Sequence, residues 1–188
     1  MSTARQLHYT YEDYLVIERD SDVRHDFQNG VIYAMAGGTP EHAALGYRVA
    51  RLLESVLRGC TPMNSDARVR IEQADLTTYT DASFVCGPVQ RATVDRLAIT
   101  NPTILVEVTS PSTVDYDRSV KLPAYQQIPS LEAVVLVSHS EPRVTVVERT
   151  PSGWTSTDFG PGTSAHLSAR DAAFPVDELY DVLRQLAP

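Results

Sequence analysis

Ile104-Leu105-Val106-Glu107-Val108 is the most apolar stretch of the chain, and a carboxylate stands inside it. Continuous branched residues predict a strand buried on both faces. An ionised Glu there must find a partner, bind a metal or take up a proton, because an isolated buried charge is very costly. The strand stops at once in Ser110-Pro111-Ser112-Thr113. Glu107 is therefore expected near the carboxyl end of a central strand, where open sheets that carry helices place their ligands. A structural ion pair with an Arg is the other reading of the same residue.

Working outward, Asp81 to Cys86 reads as a short strand stopped by Gly87-Pro88. Before it, Asp66 to Glu72 alternates, with Ala67, Val69 and Ile71 on one face and Arg68 and Arg70 on the other. After the central strand a helix is predicted between Asp115 and Gln127, with Pro123 either kinking it or marking its true first turn. Leu131 to Ser138 is a second buried strand. Arg143 to Arg149 and Trp154 to Phe159 form a closing hairpin around Ser152-Gly153, and Asp177 to Leu186 a short last helix. Towards the N-terminus, Thr10-Tyr11-Glu12-Asp13 resembles a capping box, predicting a helix from Tyr11 to about Glu18. Arg24 to Gln28 and Val31 to Met35 flank Asn29-Gly30, the pair suited to a two-residue type I′ turn. Gly37-Gly38 breaks the second strand, and Thr39-Pro40 reads as N-cap and first helical position. That helix is expected to reach about Arg58, with Gly59 as its stop, Leu45, Val49, Leu52, Leu53 and Val56 as its buried stripe, and His42 pointing along the stripe. The order predicts an α/β protein with a mixed central sheet flanked by helices.

At 188 residues the chain is long enough for one domain, 1–188, with a substantial core. No stretch approaches the ~20 apolar residues of a membrane span, and Met1-Ser2-Thr3-Ala4-Arg5 lacks the apolar core of a signal peptide. The two cysteines, Cys60 and Cys86, form no metal-type pair, and Cys86 reads as a small core residue. A cytoplasmic protein without structural disulfides and without a membrane partner is expected. The net charge of −8 argues against a protein that coats nucleic acid non-specifically, but leaves room for a local basic surface around a site.

Three groups bracket the central strand. Asp81 follows Thr78-Tyr79-Thr80, Glu107 ends the next strand, and Lys121 falls on the helix after it. If the strands are neighbours, both carboxylates converge at one end of the sheet and the helix brings an ammonium to them. Two carboxylates with open coordination positions suit Mg²⁺ or Mn²⁺, which prefer oxygen ligands, keep waters and accept substrate phosphates. A nearby Lys would stabilise phosphorane-like charge or help deprotonate the attacking water. Each residue also has a plainer reading: Asp81 as a turn acid, and Lys121 as half of an i, i+4 surface pair with Asp117.

The stretch Asn101 to Thr113, followed by Tyr116-Asp117-Arg118, Lys121 and Tyr125, resembles a large bacterial family of restriction endonucleases, the Uma-two family of the PD-(D/E)XK nuclease superfamily. The likeness extends to Asn29-Gly30, Ile32-Tyr33-Ala34-Met35-Ala36-Gly37, Pro40-Glu41-His42, Ser65-Asp66, Arg68-Val69-Arg70-Ile71, and Thr78-Tyr79 before Asp81. It covers nearly the whole chain, in order. The resemblance implies a restriction-endonuclease-like core of helix, three strands, helix and strand (α-β-β-β-α-β), beside the N-terminal helix and hairpin and the C-terminal hairpin. It implies Asp81 as the first motif Asp and Glu107 as the acid of the second motif, both ligands of Mg²⁺ (or Mn²⁺). It implies a DNA substrate and phosphodiester hydrolysis, and a homodimer is plausible because two related sites readily cut two strands.

The pattern departs from the superfamily at three places. The Lys usually two residues after the acid is replaced by Thr109, and Lys121 on the following helix takes its place. Thr80 stands where Pro usually precedes the motif Asp, and Asp26 stands where the family has Glu in the first hairpin strand. Asp26 is either a group reaching the site or a cross-strand partner for an Arg. His42, often His in the family, either holds a carboxylate or water in place or is a satisfied core residue. Tyr125, four residues beyond Lys121, either positions it or belongs to the core. Arg68 and Arg70 are either phosphate contacts or a solvated sheet face. Two other functions compete with an endonuclease. One is a catalytically inactive nuclease-fold module that binds DNA or protein, favoured by the acidic balance and by Thr109. The other is a metal-independent hydrolase using the carboxylates as acid and base, disfavoured because Trp154 is the only tryptophan for a sugar platform.

Overall fold

A computed structural model describes residues 7–184 and 186, except 36 and 112. Ala36, Ser112, Gln185 and the Met1–Arg5 segment discussed above lie outside the described residues. In chain order the elements are α1 (Tyr11–Asp20), β1 (His25–Gln28), β2 (Val31–Ala34), α2 (Pro40–Val56), β3 (Cys60–Asn64), β4 (Arg68–Ile71), β5 (Leu76–Tyr79), β6 (Ala82–Cys86), β7 (Ala98–Ile99) and β8 (Ile104–Thr109). Then come α3 (Val114–Tyr116), a π-helical turn (Asp117–Lys121), α4 (Leu122–Tyr125), β9 (Ala133–Ser138), β10 (Val144–Thr150), β11 (Gly153–Phe159), β12 (Ser164–Leu167), β13 (Ala172–Pro175) and α5 (Val176–Arg184).

The larger sheet runs β11-β10-β9-β8-β6-β3, parallel only between β8 and β9. The smaller runs β2-β1-β5-β4-β7, and β12 pairs with β13. All six residues of β8 are buried, as their composition requires. Ile104, Val106 and Val108 face Leu45, Val49 and Leu53 of α2. Leu105 faces the other way, into a second cluster with Tyr125, Ile128, Val134 and Leu136. Each such side chain stabilises the fold by about 1.5–3 kcal/mol on burial. Glu107 shares the Leu105 face by the two-residue period of a strand, and so points towards the helix that follows β8.

Local chemistry explains the other elements that bear on the site. Thr10 and Asp13 form the reciprocal capping box of α1. Asn29 and Gly30 both have positive φ, 46° and 79°, as a type I′ turn demands, and this brings β1 and β2 together. The Thr39 hydroxyl accepts from the His42 amide, with Pro40 in the first turn; α2 ends at Val56, two residues before the expected Arg58. Pro123 lies in the first turn of α4 and offers no N–H to the carbonyl four residues back. The chain widens just before it into a π turn, with the Leu122 amide donating to the Asp117 carbonyl.

Three expectations are corrected. The Asp66–Glu72 run does not join the central sheet: its core, β4, belongs to the smaller sheet, and β3 lies beside β6 instead. Pro62 disguises β3, but β3 is an edge strand, where a missing donor is tolerated. Arg68 and Arg70 do not form a solvated face, and acids already pair with both. Arg68 is buried against Asp95 at 3.4 Å, while Arg70 pairs with Asp75 at 2.7 Å and lies 4.0 Å above the Tyr11 ring. Cys60 and Cys86 are opposite each other across β3 and β6 and form a disulfide. The expectation of no structural disulfide therefore fails, because the partner strand of Cys86 was hidden. Among the described residues, no helix is long and apolar enough to cross a membrane.

Candidate active site

The end of β8 and the start of β6 bring the two motif acids together. Asp81 immediately precedes β6; its amide donates to the Val106 carbonyl at 3.1 Å, and its Oδ2 accepts from the Val108 amide at 2.7 Å. Asp81 is thus clipped to the backbone on either side of Glu107, by its own amide at Val106 and by its carboxylate at Val108. Burial pushes the Asp81 carboxyl up, against the pull of His42, the Val108 amide and Lys121. His42, on the first turn of α2, places Nε2 3.0 Å from the Val108 carbonyl and 3.7 Å from Asp81 Oδ2. The sequence-predicted His42 is therefore at the acids, held by the N-cap geometry of its own helix.

Glu107 is 5% exposed and receives two donors on one oxygen. Lys121 Nζ donates to Oε1 at 3.2 Å, and the Tyr125 hydroxyl makes a short hydrogen bond to the same atom. Among the described residues none donates to Oε2. Burial drives the carboxyl up to about 8; Lys121 and Tyr125 oppose this, while Asp81 and Asp117 reinforce it. Tyr125 is thus both core and ligand to the acid.

Lys121 is buried and has three carboxylates around it: Glu107 at 3.2 Å, Asp117 at 3.8 Å and Asp26 at 4.0 Å. Burial would lower its ammonium, but Glu107, Asp26 and Asp117 outweigh burial and raise it. The i, i+4 pair with Asp117 is therefore not a surface pair, since both residues are buried. Asp26, from β1, accepts weakly from the Tyr79 amide at 3.4 Å, and the cation it faces is Lys121 rather than an Arg. Burial raises both Asp26 and Asp117 despite Lys121. Seen from Lys121 the cluster is favourable; seen from each acid it is not. The charge count explains both directions, because one ammonium serves three buried carboxylates, with Asp81 nearby.

These groups line a cleft of about 1070 Å³. One wall is the face of α2 bearing His42, Gly46, Tyr47 and Arg51, and the other includes Tyr33 of β2 and Met63 of β3. Tyr116 also lines it: its ring lies 6.3 Å from that of Tyr33, and its buried hydroxyl lacks a hydrogen-bond partner among the described residues. Asp117, Tyr116 and the rim tyrosines were not singled out as site residues from the sequence. The available signal was Tyr116-Asp117-Arg118, which lies within the family-like stretch.

As a donor set the cluster suits a hard cation. No group of three or more His, Cys, Asp or Glu among the described residues is arranged to enclose a metal ion. Mg²⁺ does not require that, since it is commonly held by one or two carboxylates with water and substrate oxygens completing the shell. Asp81 and Glu107 both line the cleft, and the electrostatic strain between them is what a cation relieves.

A family model described as "Uma2: Putative restriction endonuclease" matches residues 11–174. The chain belongs to the Uma2 family. This Uma2 chain is 32% identical over 172 residues to the uncharacterized protein slr1290 of Synechocystis sp., covering 90% of each. It is 28% identical over 130 residues to sll1609 of the same organism, covering 68% of this chain and 73% of that one. A crystal structure described as "a putative nuclease belonging to DUF820", from Anabaena variabilis, matches with a TM-score of 0.72 at 15% identity. That match covers 92% of the Uma2 chain and 97% of its neighbour, a likeness of fold. The mixed α/β architecture, with its sheets flanked by helices, is thus shared with that neighbour over nearly its whole length.

Proposed function

We propose that this protein is a metal-dependent endonuclease that hydrolyses DNA phosphodiester bonds, with Asp81 and Glu107 holding Mg²⁺ or Mn²⁺ and Lys121 assisting attack by water. The observation that carries the reading is the excess of carboxylate over ammonium at the floor of a cleft: Asp26, Asp81, Glu107 and Asp117 beside Lys121 alone. Such an excess is costly in the folded protein unless a cation or protons offset it. When bound, the ion supplies positive charge against the scissile phosphate and acidifies water.

The protein's own groups have separable tasks. The Val108 amide and His42 fix Asp81, and Tyr125 and Lys121 fix Glu107, so that both acids are oriented before substrate arrives. Lys121, raised by three carboxylates, keeps its proton at neutral pH. At 3.2 Å from Glu107 its ammonium is placed to orient the nucleophile and to stabilise charge on the phosphoryl oxygens. Asp26 and Asp117 also hold the ammonium, at 4.0 and 3.8 Å.

The test is cleavage of supercoiled plasmid and single-stranded DNA with Mg²⁺, Mn²⁺ or EDTA, with Glu107→Gln beside the parent. Cleavage that needs metal and vanishes in the variant supports the reading. A folded parent that cuts nothing under any metal replaces it with an inactive nuclease-fold binding module.

A further inference from the structure

We infer that the cleft takes an unpaired, single-stranded stretch of nucleic acid and grips it by stacking on tyrosines; this deepens, and rests on, the nuclease reading above. The first observation is the placement of two exposed rings. Tyr47 stands on α2 with 69% of its surface exposed, and Tyr33 on β2 with 44%. Both line the cleft that holds Asp81 and Glu107. Gly46 packs so near the acids that a β-carbon there would lie 3.7 Å from Asp81 Cβ, and Tyr47 is the next residue along the helix. Tyr33 is backed by the Tyr116 ring, whereas Tyr47 meets no aromatic partner among the described residues. Rigid amphipathic rings at the rim of a site are suited to the π-face of a base, whatever its identity.

The second observation is the scarcity of cations. A duplex binder neutralises many phosphates, and six to ten contacts are common for proteins that depend on them. Among the described residues this cleft offers Arg24, Arg51 and Lys121, with His42 and His139, against five carboxylates, Asp26, Glu54, Asp81, Glu107 and Asp117. Arg24 is engaged with Asp66 and the Ser65 carbonyl, and Lys121 is surrounded by acids. Among the described residues of the lining, Arg51, four residues after Tyr47 on α2, is the arginine left to meet a neighbouring phosphate. Such a lining cannot compete for the dense phosphates of a duplex, whose bases are also stacked on one another and closed to tyrosine. An unpaired strand brings fewer phosphates and open base faces.

The test is fluorescence anisotropy of a labelled 12-nucleotide single strand and of its duplex, in Ca²⁺, with the parent, Tyr47→Ala, Tyr47→Phe and Tyr33→Ala. Exposure of both rings leaves folding intact, which circular dichroism checks. The single strand should bind the parent at least tenfold more tightly than the duplex. Tyr47→Ala should lose about five- to 150-fold, the range of one base–aromatic stack, and Tyr33→Ala a similar amount. Tyr47→Phe should stay within twofold. With so few cations, the log–log salt slope should be shallower than about −2, at roughly −0.7 per phosphate neutralised. Equal or tighter duplex binding, or Tyr47→Ala within twofold of the parent, overturns the inference. The hydrolysis assay separates the two ideas. Metal-dependent cutting of duplex that ignores Tyr47→Ala overturns this one and leaves the nuclease reading. Tyrosine-dependent single-strand binding without cutting under any metal does the reverse.

Discussion

Glu107→Gln should make the folded protein more stable at alkaline pH while removing hydrolysis. Burial, with Asp81 and Asp117 reinforcing it, drives the Glu107 carboxyl from an ordinary 4.5 up to about 8. Between those values the folded chain keeps a proton that the unfolded chain has released. The folded state therefore binds more protons, and its stability falls as pH rises across the window. The stability is whole below about pH 4.5, and above pH 8 the loss is complete, at most about 5 kcal/mol. Glutamine has the shape of the protonated acid, and its amide oxygen can still accept from Lys121 and Tyr125. The variant and parent should therefore be equal near pH 4, diverge up to about pH 8 and keep a constant gap beyond it, with the variant the more stable. Urea denaturation from pH 4 to 9 in EDTA, followed by the fluorescence of the single tryptophan, Trp154, reads this directly. Added Mg²⁺ should narrow the gap by stabilising the parent alone, because only the parent keeps both proposed ligands. A variant less stable than the parent at pH 9, or one with the same pH slope, would falsify the reasoning.

Lys121→Met leaves Glu107, Asp26 and Asp117 buried without their ammonium and should destabilise the protein by about 3–5 kcal/mol at pH 8. All three carboxyls are already raised, so acidification should recover most of that loss; denaturation midpoints at pH 8 and pH 5 that shift equally would sink the argument. Tyr125→Phe removes a donor to Glu107 and should cost about 1–2 kcal/mol. It should also move the pH window of the Glu107 effect upward, since the phenol hydrogen bond holds that carboxyl down; an unmoved window counts against the assignment. Gly46→Ala should raise stability by about 0.5–1 kcal/mol through helix propensity, because its new methyl meets only ordinary contacts at 3.7 and 3.9 Å. A lower melting temperature would mean that α2 and the acids are packed more tightly than these distances allow.

Local signals proved readable wherever one element carried its own instructions. Asn29-Gly30 declared the hairpin through two residues that tolerate positive φ, Thr10 and Asp13 declared the start of α1, and the branched run at β8 declared a strand buried on both faces. What stayed hidden needed a distant partner. β5 contains Thr77 and Thr78, both fully buried, because β1 and β4 satisfy its backbone; a polar-looking segment gave no apolar period to detect. Arg68 looked solvated because Asp95, its partner, lies in a loop beyond β6. Asp117 and Lys121 had the spacing of a surface pair, and nothing local to the helix shows that β8 and β1 close over them. The same holds for the cysteines, whose pairing depends on a strand interrupted by Pro62.

The position of Lys121 follows from the same non-local packing. Glu107 and Thr109 share one face of β8, so a lysine at 109 would approach the acid along its own strand. Here the Thr109 hydroxyl instead turns to the Val137 carbonyl of β9 at 3.5 Å, and the ammonium arrives from the segment packed on that face. Two features aim it. Tyr125 and Ile128 anchor that segment in the cluster beneath Leu105, and the π turn ahead of Pro123 sets Asp117 and Lys121 together against Glu107. Asp26 then completes the cage from the hairpin. An ammonium fixed by three elements is placed by tertiary structure rather than by strand register. Its distance from Glu107 is consequently sensitive to changes in β1 or α4 that never touch the acid. Because chemistry at such a site depends on the position of the charge and not on its place in the chain, a lysine can move from strand to helix without moving in space.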